Sequence, residues 1–334
     1  MSDFDPDAAA APGSGIFGLP FSEREAAVVL APVPFDATVS YRHGAAGGPE
    51  AIRAASHQVD LCDPQTGTAY RRGIHMLPEN AAVAELSREA RRAAEPALAG
   101  EGDDGVAAVD RAGEAVNSWV SEFAEDVLSR GCVPGVVGGD HSVAFGGIAA
   151  AARAFPGLGV LQIDAHADLR DSYQGFRWSH ASVMHNVLRE AEGVSRIVQV
   201  GVRDLCEGEL QAIAESQGRV VTHFDIDWQR RVAAGEQLLA LCGEAIDALP
   251  EQVWVSFDID GLDPSLCPNT GTPVPGGLSF SGACLLLEAL SRSGRTIVGF
   301  DLNEVAPGPD GDEWDAAVGA RVLFKLCGFA LLGR

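Results

Sequence analysis

The chain has 334 residues, 46% of them hydrophobic, with 47 acidic residues against 24 basic ones and a formal net charge of −23. That length is ample for a large core, and that charge excludes nucleic acid as a partner, because phosphate would be repelled, while staying compatible with small cationic ligands. No apolar stretch reaches membrane-spanning length, the N-terminus lacks the pattern of a signal peptide, and the seven scattered cysteines form no Cys-x-x-Cys pair, so a cytoplasmic location with free thiols is expected.

In chain order, residues 1–22 read as a flexible N-terminal arm, rich in Ala, Pro, Gly, Ser and Asp over Met1–Gly15, ahead of one catalytic unit over 23–334. Ala27–Pro32 predicts a first strand. Ala81–Leu98 predicts a surface helix, followed by an exposed Gly- and Asp-rich loop. Val106–Arg130 is an amphipathic helix leading into a strand at Val133–Val137, and Val143–Ala154 a helix before the strand at Leu158–Ile163. A strand at Arg196–Val200, a helix holding Gln211–Glu215, a helix at Gly235–Leu249 and a strand at Val253–Phe257 come next. Ser281–Ser291 is helical, Thr296–Asp301 a strand, and Trp314–Leu331 the closing helix. Strand–helix alternation predicts an α/β fold with a mostly parallel sheet and helices on both faces.

Three of these strands end in short acidic or histidine-bearing clusters: Gly138-Gly-Asp-His-Ser142, Asp164-Ala-His-Ala-Asp168 and Asp258-Ile-Asp-Gly-Leu-Asp-Pro264. Ligands bind at the carboxyl ends of the strands in such sheets. Along extended chain, alternate residues share a face, so Asp164, His166 and Asp168 can converge, as can Asp258 and Asp260, with His141 joining from its own strand. Four carboxylates cannot stay ionised together without counter-charge. Two divalent cations supply it. Six ligands exceed the tetrahedral habit of a single zinc, and carboxylate with imidazole but no thiolate favours Mn²⁺ first, then Ni²⁺ or Fe²⁺.

These clusters, in this order and spacing, resemble the signatures of the ureohydrolases, the arginases, agmatinases and their relatives. Further matches are Gly271-Thr-Pro273, Asp301-Leu-Asn-Glu-Val-Ala-Pro307 and Gly47-Gly-Pro-Glu-Ala-Ile-Arg53, the last resembling the family's first helix entry. The resemblance runs from about Ala26 to the C-terminus. It implies a single-domain, three-layer α/β/α arginase-like fold and a homo-oligomer, a trimer or hexamer. It also implies hydrolysis of a guanidino group to release urea. His141, Asp164, Asp168 and Asp258 would hold one metal, and His166, Asp164, Asp258 and Asp260 the other. Asp168 would also accept a hydrogen bond from the nucleophile, a hydroxide that two divalent ions generate near neutral pH. His180, in Trp178-Ser-His-Ala181, matches the family's proton-shuttling histidine, although His-Gly is usual there. Glu304 offers a planar carboxylate for the guanidinium, with Thr272 and Asp204 as further substrate contacts.

The loop Leu169–Trp178 departs from the arginase pattern and looks more like agmatinase-type members, with bulky Phe176 and Trp178 expected beside the site. Agmatine, yielding putrescine and urea, is the first substrate expected. Guanidine, a short guanidino acid such as guanidinobutyrate or guanidinopropionate, and arginine are alternatives. The stretches Cys267–Pro273 and Glu313–Asp315 resemble a branch that includes enzymes acting on free guanidine. A catalytically silent regulatory subunit is the reading from another class, opposed by the complete ligand set. Gly135–Gly139 lacks the Lys-Ser/Thr of a phosphate loop, and Pro264 does not fit a calcium loop at Asp258–Asp263. His43, His57, His75, His185 and His223 lie outside the clusters and read as packing or surface residues.

Overall fold

The computed structural model describes residues 4–11 and 13–332. Its strands are β1 (Val28–Val33), β2 (Ile74–Met76), β3 (Val133–Gly138), β4 (Leu158–Ile163), β5 (Val194–Val202), β6 (Val220–Phe224), β7 (Gln252–Asp258) and β8 (Thr296–Asn303). They form one eight-stranded sheet in the order β2-β1-β3-β8-β7-β4-β5-β6. Every pairing is parallel. The helices are α1 (Gly48–Ala55), α2 (Ala81–Leu98), α3 (Val106–Ser129), α4 (Ala144–Ala154), α5 (Val183–Glu190), α6 (Glu207–Glu215), α7 (Asp225–Ala233), α8 (Leu238–Asp247), α9 (Phe280–Arg292) and α10 (Trp314–Leu331).

Side-chain alternation divides the core into two layers. Leu161, Ile163, Val253, Val255 and Phe257 face α8, α9 and α10 on one side of the sheet. Leu158, Val160, Val136 and Trp254 face α2, α3 and α4 on the other. The central strands are apolar throughout because both faces are covered. Trp254 is seated by glycine: a Cβ on Gly147 or Gly299 would lie 2.6 or 2.2 Å from its ring. This is the three-layer α/β/α arrangement the alternation implies.

From β3 the chain crosses by α4 to β4, and β8 and β7 later fill the gap between those two strands. The carboxyl ends of β3, β8, β7 and β4 therefore lie side by side, and all the acidic clusters end up at one rim. The expected strands and helices are present with boundaries moved by a few residues; the strand expected at Arg196–Val200 runs from Val194 to Val202, and the helix expected from Gly235 starts at Leu238. Unanticipated elements are short or polar. β2 has three residues, β6 is a half-buried edge strand, and α7 buries only Asp225 and Trp228.

The expectation of an arm over residues 1–22 needs correction. Ile16, Phe17 and Leu19 are buried in the core, and the Phe17 ring meets Phe324 edge-on at 4.9 Å. Three large apolar side chains within four residues outweigh the neighbouring Gly and Pro, and Phe17 N donates to Ser56 Oγ at 2.9 Å. Two of the outlying histidines take clear local roles. His75 Nδ1 lies 2.9 Å from Phe21 O, and His185 Nε2 lies 2.9 Å from Asp171. Ile16→Ala and Leu19→Ala should each destabilise the fold by about 2–5 kcal/mol, read as a lower denaturation midpoint; substitutions as neutral as those on an exposed tail would contradict this packing.

Candidate metal centre and adjoining cavity

Each ligand-bearing turn is built by its own carboxylate. Asp140 caps the turn His141–Val143, accepting from Ser142 N at 3.1 Å and from the Ser142 hydroxyl. Gly139 is required there because a Cβ would fall 1.9 Å from Phe35 O. Asp258, the last residue of β7, caps the turn Ile259–Gly261 by accepting from Asp260 N at 2.9 Å. Beyond β4, Asp164 Oδ1 accepts from His166 N at 2.6 Å, and Asp260 Oδ1 accepts from Ala165 N at 3.0 Å. Asp168 and Glu304 adopt left-handed backbone conformations, φ 54° and 63°. Such strain costs a non-glycine residue about 1–3 kcal/mol and tends to collect at functional sites.

The structure brings all six expected ligands together. His141 Nδ1 stands 2.9 Å from Asp168, 3.1 Å from Asp164 and 3.5 Å from Asp258. His166 Nδ1 stands 3.1 Å from Asp260 and 3.5 Å from Asp164. His141, Asp164 and Asp258 form one group able to hold an ion, and Asp164, His166 and Asp260 a second. Asp164 is common to both; Asp258, expected to be shared as well, falls in the first only.

The surroundings fit two cations. The Ser256 hydroxyl donates to Asp301 Oδ1 at 2.8 Å, so at 2.8 Å from His141 Nε2 it must accept from that nitrogen. This leaves His141 Nδ1 unprotonated in the neutral ring, facing three carboxylates. Its neighbours at 2.9–3.5 Å are all carboxylate oxygens, none able to donate to it, so in the neutral ring that buried lone pair has no partner unless a positive ion takes it. Burial, then Asp260, Asp164 and Glu304, push the Asp258 carboxyl well above the ordinary carboxylate range. Burial, then Asp164, push Asp168 up to about 7. Burial opposes charge on His141 and His166, but facing carboxylates outweigh it and hold both imidazoles well above their usual value. The site attracts positive charge in whatever form is offered.

Beside the centre lies a cavity of about 290 Å³ whose wall includes His166, Asp168, His180, Asp204, Tyr41 and Tyr173. Tyr173 meets the His180 ring edge-on at 5.9 Å. Thr272 also lines this cavity, and its hydroxyl is 3.3 Å from Asp260 Oδ2. Glu304 is buried behind these residues; its Oε1 accepts from His141 N at 2.9 Å, and Oε2 faces Gly271. Phe176 and Trp178, expected to narrow the site, do not line the cavity. Phe176 is buried in the core, and Trp178 packs over Gly113 and lies 4.9 Å from the Phe145 ring. Tyr41, 70% exposed, and Tyr173 take their place at the mouth. Arg170 and Glu209, also unanticipated, form part of the wall; Arg170 Nε lies 3.7 Å from Glu209.

Fold and site together define a metal-dependent hydrolase of the parallel α/β type. The family model described as "Arginase family" matches residues 26–328, and the chain belongs to that family. It is therefore a ureohydrolase, acting on C–N bonds of guanidino compounds, in a family that depends on a binuclear metal centre. It is 32% identical to an N(1)-aminopropylagmatine ureohydrolase of Synechocystis sp., covering 92% of this chain and 90% of that one. A relative of the same name from Thermus thermophilus is 36% identical over 85% of this chain and 84% of its own length. Among solved structures, the agmatine ureohydrolase of Thermoplasma volcanium superposes with a TM-score of 0.74 at 26% identity, covering 95% of this chain and 94% of that one.

Cations must displace the protons that raised groups carry, Asp168 among them at about 7. Adding Mn²⁺ to metal-free protein in weak buffer should therefore release protons, and affinity should fall as the pH drops through about 7. A pH-independent affinity measured by calorimetry would contradict this charge state.

Proposed function

We propose that the chain hydrolyses agmatine to putrescine and urea, with His141, Asp164 and Asp258 holding one divalent ion and His166, Asp164 and Asp260 the other, Asp168 joining the first from beside His141 and Asp258 turning to reach the second. Mn²⁺ is the first candidate and Ni²⁺ the second. Bound there, the two ions would supply hydroxide at neutral pH and offset the carboxylates. Glu304 takes the guanidinium, its charge matched by a carboxylate that burial would otherwise leave protonated. Asp168 accepts a hydrogen bond from the nucleophile, and His180 moves a proton to the departing nitrogen. Tyr41 and Tyr173 line the cavity through which the substrate enters.

One observation carries the choice of tail. Asp204 is an exposed carboxylate in the cavity wall, joined to His166 by a backbone bridge, whereas the guanidinium of Arg170 is already beside Glu209 and over the Tyr173 ring. An amine-bearing tail finds a partner in Asp204. A carboxylate-bearing tail would have to draw Arg170 away. The names of relatives such as the Synechocystis and Thermoplasma proteins, which specify aminopropylagmatine and agmatine, support a cationic tail, while others are named for a guanidino acid or as arginase. We place the enzyme in the cytoplasm as a homo-oligomer, a trimer or hexamer.

Urea release should be compared over agmatine, aminopropylagmatine, arginine, guanidinobutyrate, guanidinopropionate and guanidine, each with Mn²⁺ and with Ni²⁺. Agmatine should give the highest kcat/KM, and Asp204→Asn should raise KM for agmatine while leaving guanidine unaffected. Preference for a guanidino acid would make Arg170 the tail contact; preference for guanidine would leave the tail without a role. Asp258→Asn should lose one ion and nearly all activity with the fold intact, read by metal analysis and circular dichroism. Full activity at saturating metal would remove Asp258 from the ligand set.

A further inference from the structure

Thr38 is buried on the loop after β1, away from the signature clusters, and its hydroxyl sits between two groups of the site. It lies 3.1 Å from Asp140 Oδ2 and 3.3 Å from His180 Nδ1, and it accepts from His180 N at 3.1 Å. A threonine hydroxyl has one proton to donate and two lone pairs. Asp140 already collects donors from Thr38 N, Ser142 N and the Ser142 hydroxyl, so it is the acceptor for Thr38's single proton. The Thr38 oxygen then has lone pairs for two donors, His180 N and His180 Nδ1. The Ser179 hydroxyl stands at 3.5 Å from the same Nδ1, at the limit of a hydrogen bond. His180 Nε2 makes no hydrogen bond among the described residues, and the residue lines the cavity.

We infer that Thr38 is a positioning residue that locks His180 in its Nδ1–H tautomer, leaving Nε2 as the bare nitrogen available to the substrate. This rests on the shuttle role proposed above for His180. Nε2 takes the proton that the attacking water gives up as its oxygen bonds to carbon, while Nδ1–H stays on Thr38. The same proton leaves from Nε2 to the departing nitrogen as the C–N bond breaks, returning the neutral Nδ1–H ring. With the opposite tautomer the proton would already sit on Nε2, and the ring could not accept another there.

Thr38→Val removes the hydroxyl at nearly constant shape, and Thr38→Ser restores it. In enzyme labelled with ¹⁵N-histidine and loaded with diamagnetic Zn²⁺ in place of Mn²⁺, the His180 resonances are assigned by their loss in His180→Ala. Wild-type and Thr38→Ser enzymes should show a protonated Nδ1 and a bare Nε2, and Thr38→Val should show Nε2–H gaining population. Thr38→Val should lower kcat by roughly 10²-fold with KM and metal content little changed, Thr38→Ser should recover most of that loss, and Thr38→Val should add nothing to His180→Ala. A wild-type Nε2–H tautomer would overturn the inference. So would an equal loss from Thr38→Val in the His180→Ala background, which marks a purely structural role. Full turnover by His180→Ala would instead overturn the shuttle, while the tautomer spectra still decide what Thr38 does to the ring. Metal content and thermal melting of each variant separate these outcomes from misfolding.

Discussion

Everything at the carboxyl rim depends on negative charge buried without enough positive charge beside it. Asp164, Asp168, Asp258 and Asp260 are all at most 4% exposed, as is Glu304 behind them. Two such charges about 4 Å apart repel by about 4 kcal/mol at the effective dielectric of a protein site. The fold gathers them regardless, because parallel crossovers bring four strand ends to the same edge. Burial opposes ionisation of Asp164, yet His141 and His166 outweigh it and keep that carboxylate below its ordinary range. The carboxylate held below its ordinary range is thus the one common to both ion-holding groups.

The backbone absorbs part of the cost of this arrangement. Asp140 and Asp258 cap the turns that present their neighbours, so each of these turns closes on a carboxylate that accepts from its own N–H groups. Arg203 holds the Asp260 turn from outside, donating to the carbonyls of Asp260 at 2.7 Å and Leu262 at 3.1 Å. On the far side, Asp315 fixes Asn269 through its backbone and side-chain N–H groups, both at 2.9 Å, and Thr270 donates to Glu304 O at 2.9 Å. The acidic Glu313–Asp315 stretch is therefore only partly solvated surface. Asp315 is 1% exposed and braces the loop that carries Thr272.

The convergence of the six acidic and imidazole side chains was legible in the sequence because each cluster is contiguous and sits at the end of an apolar run. Along such a run, alternation sends side chains to predictable faces. The hydroxyls that orient the imidazoles were not legible. Ser256 stands 115 residues from His141, and Thr38 stands 142 residues from His180. Neither has a motif, and a lone serine or threonine in an apolar setting carries no periodic signal. The cavity wall was misread for a related reason. In Leu169–Trp178 the bulkiest residues, Phe176 and Trp178, turn inward, and α3 offers Trp178 a seat at Gly113. The amphipathic Tyr173 is left at the cavity side, where its polar tip can reach water. Likewise the small-residue composition of Met1–Gly15 concealed how firmly the neighbouring Ile16, Phe17 and Leu19 are anchored in the core.

The two histidines are held by the same device turned to opposite ends. For His141 a hydroxyl, Ser256, lies between Nε2 and the buried carboxylate of Asp301. For His180 a hydroxyl, Thr38, lies between Nδ1 and the buried carboxylate of Asp140. A carboxylate touching the imidazole directly would favour the imidazolium and raise its pKa. An intervening hydroxyl transmits the orientation and fixes the tautomer while keeping the charge one bond further off. His180 obeys that logic: burial, then His166 and His141, take it down to about 3, so the neutral ring is its resting form. His141 also meets three carboxylates directly at Nδ1, which hold the ring well above its usual value, so that position takes a proton or a metal cation. The nitrogen left outside the hydroxyl contact, Nδ1 in one ring and Nε2 in the other, separates a ring suited to holding an ion from a ring suited to passing a proton.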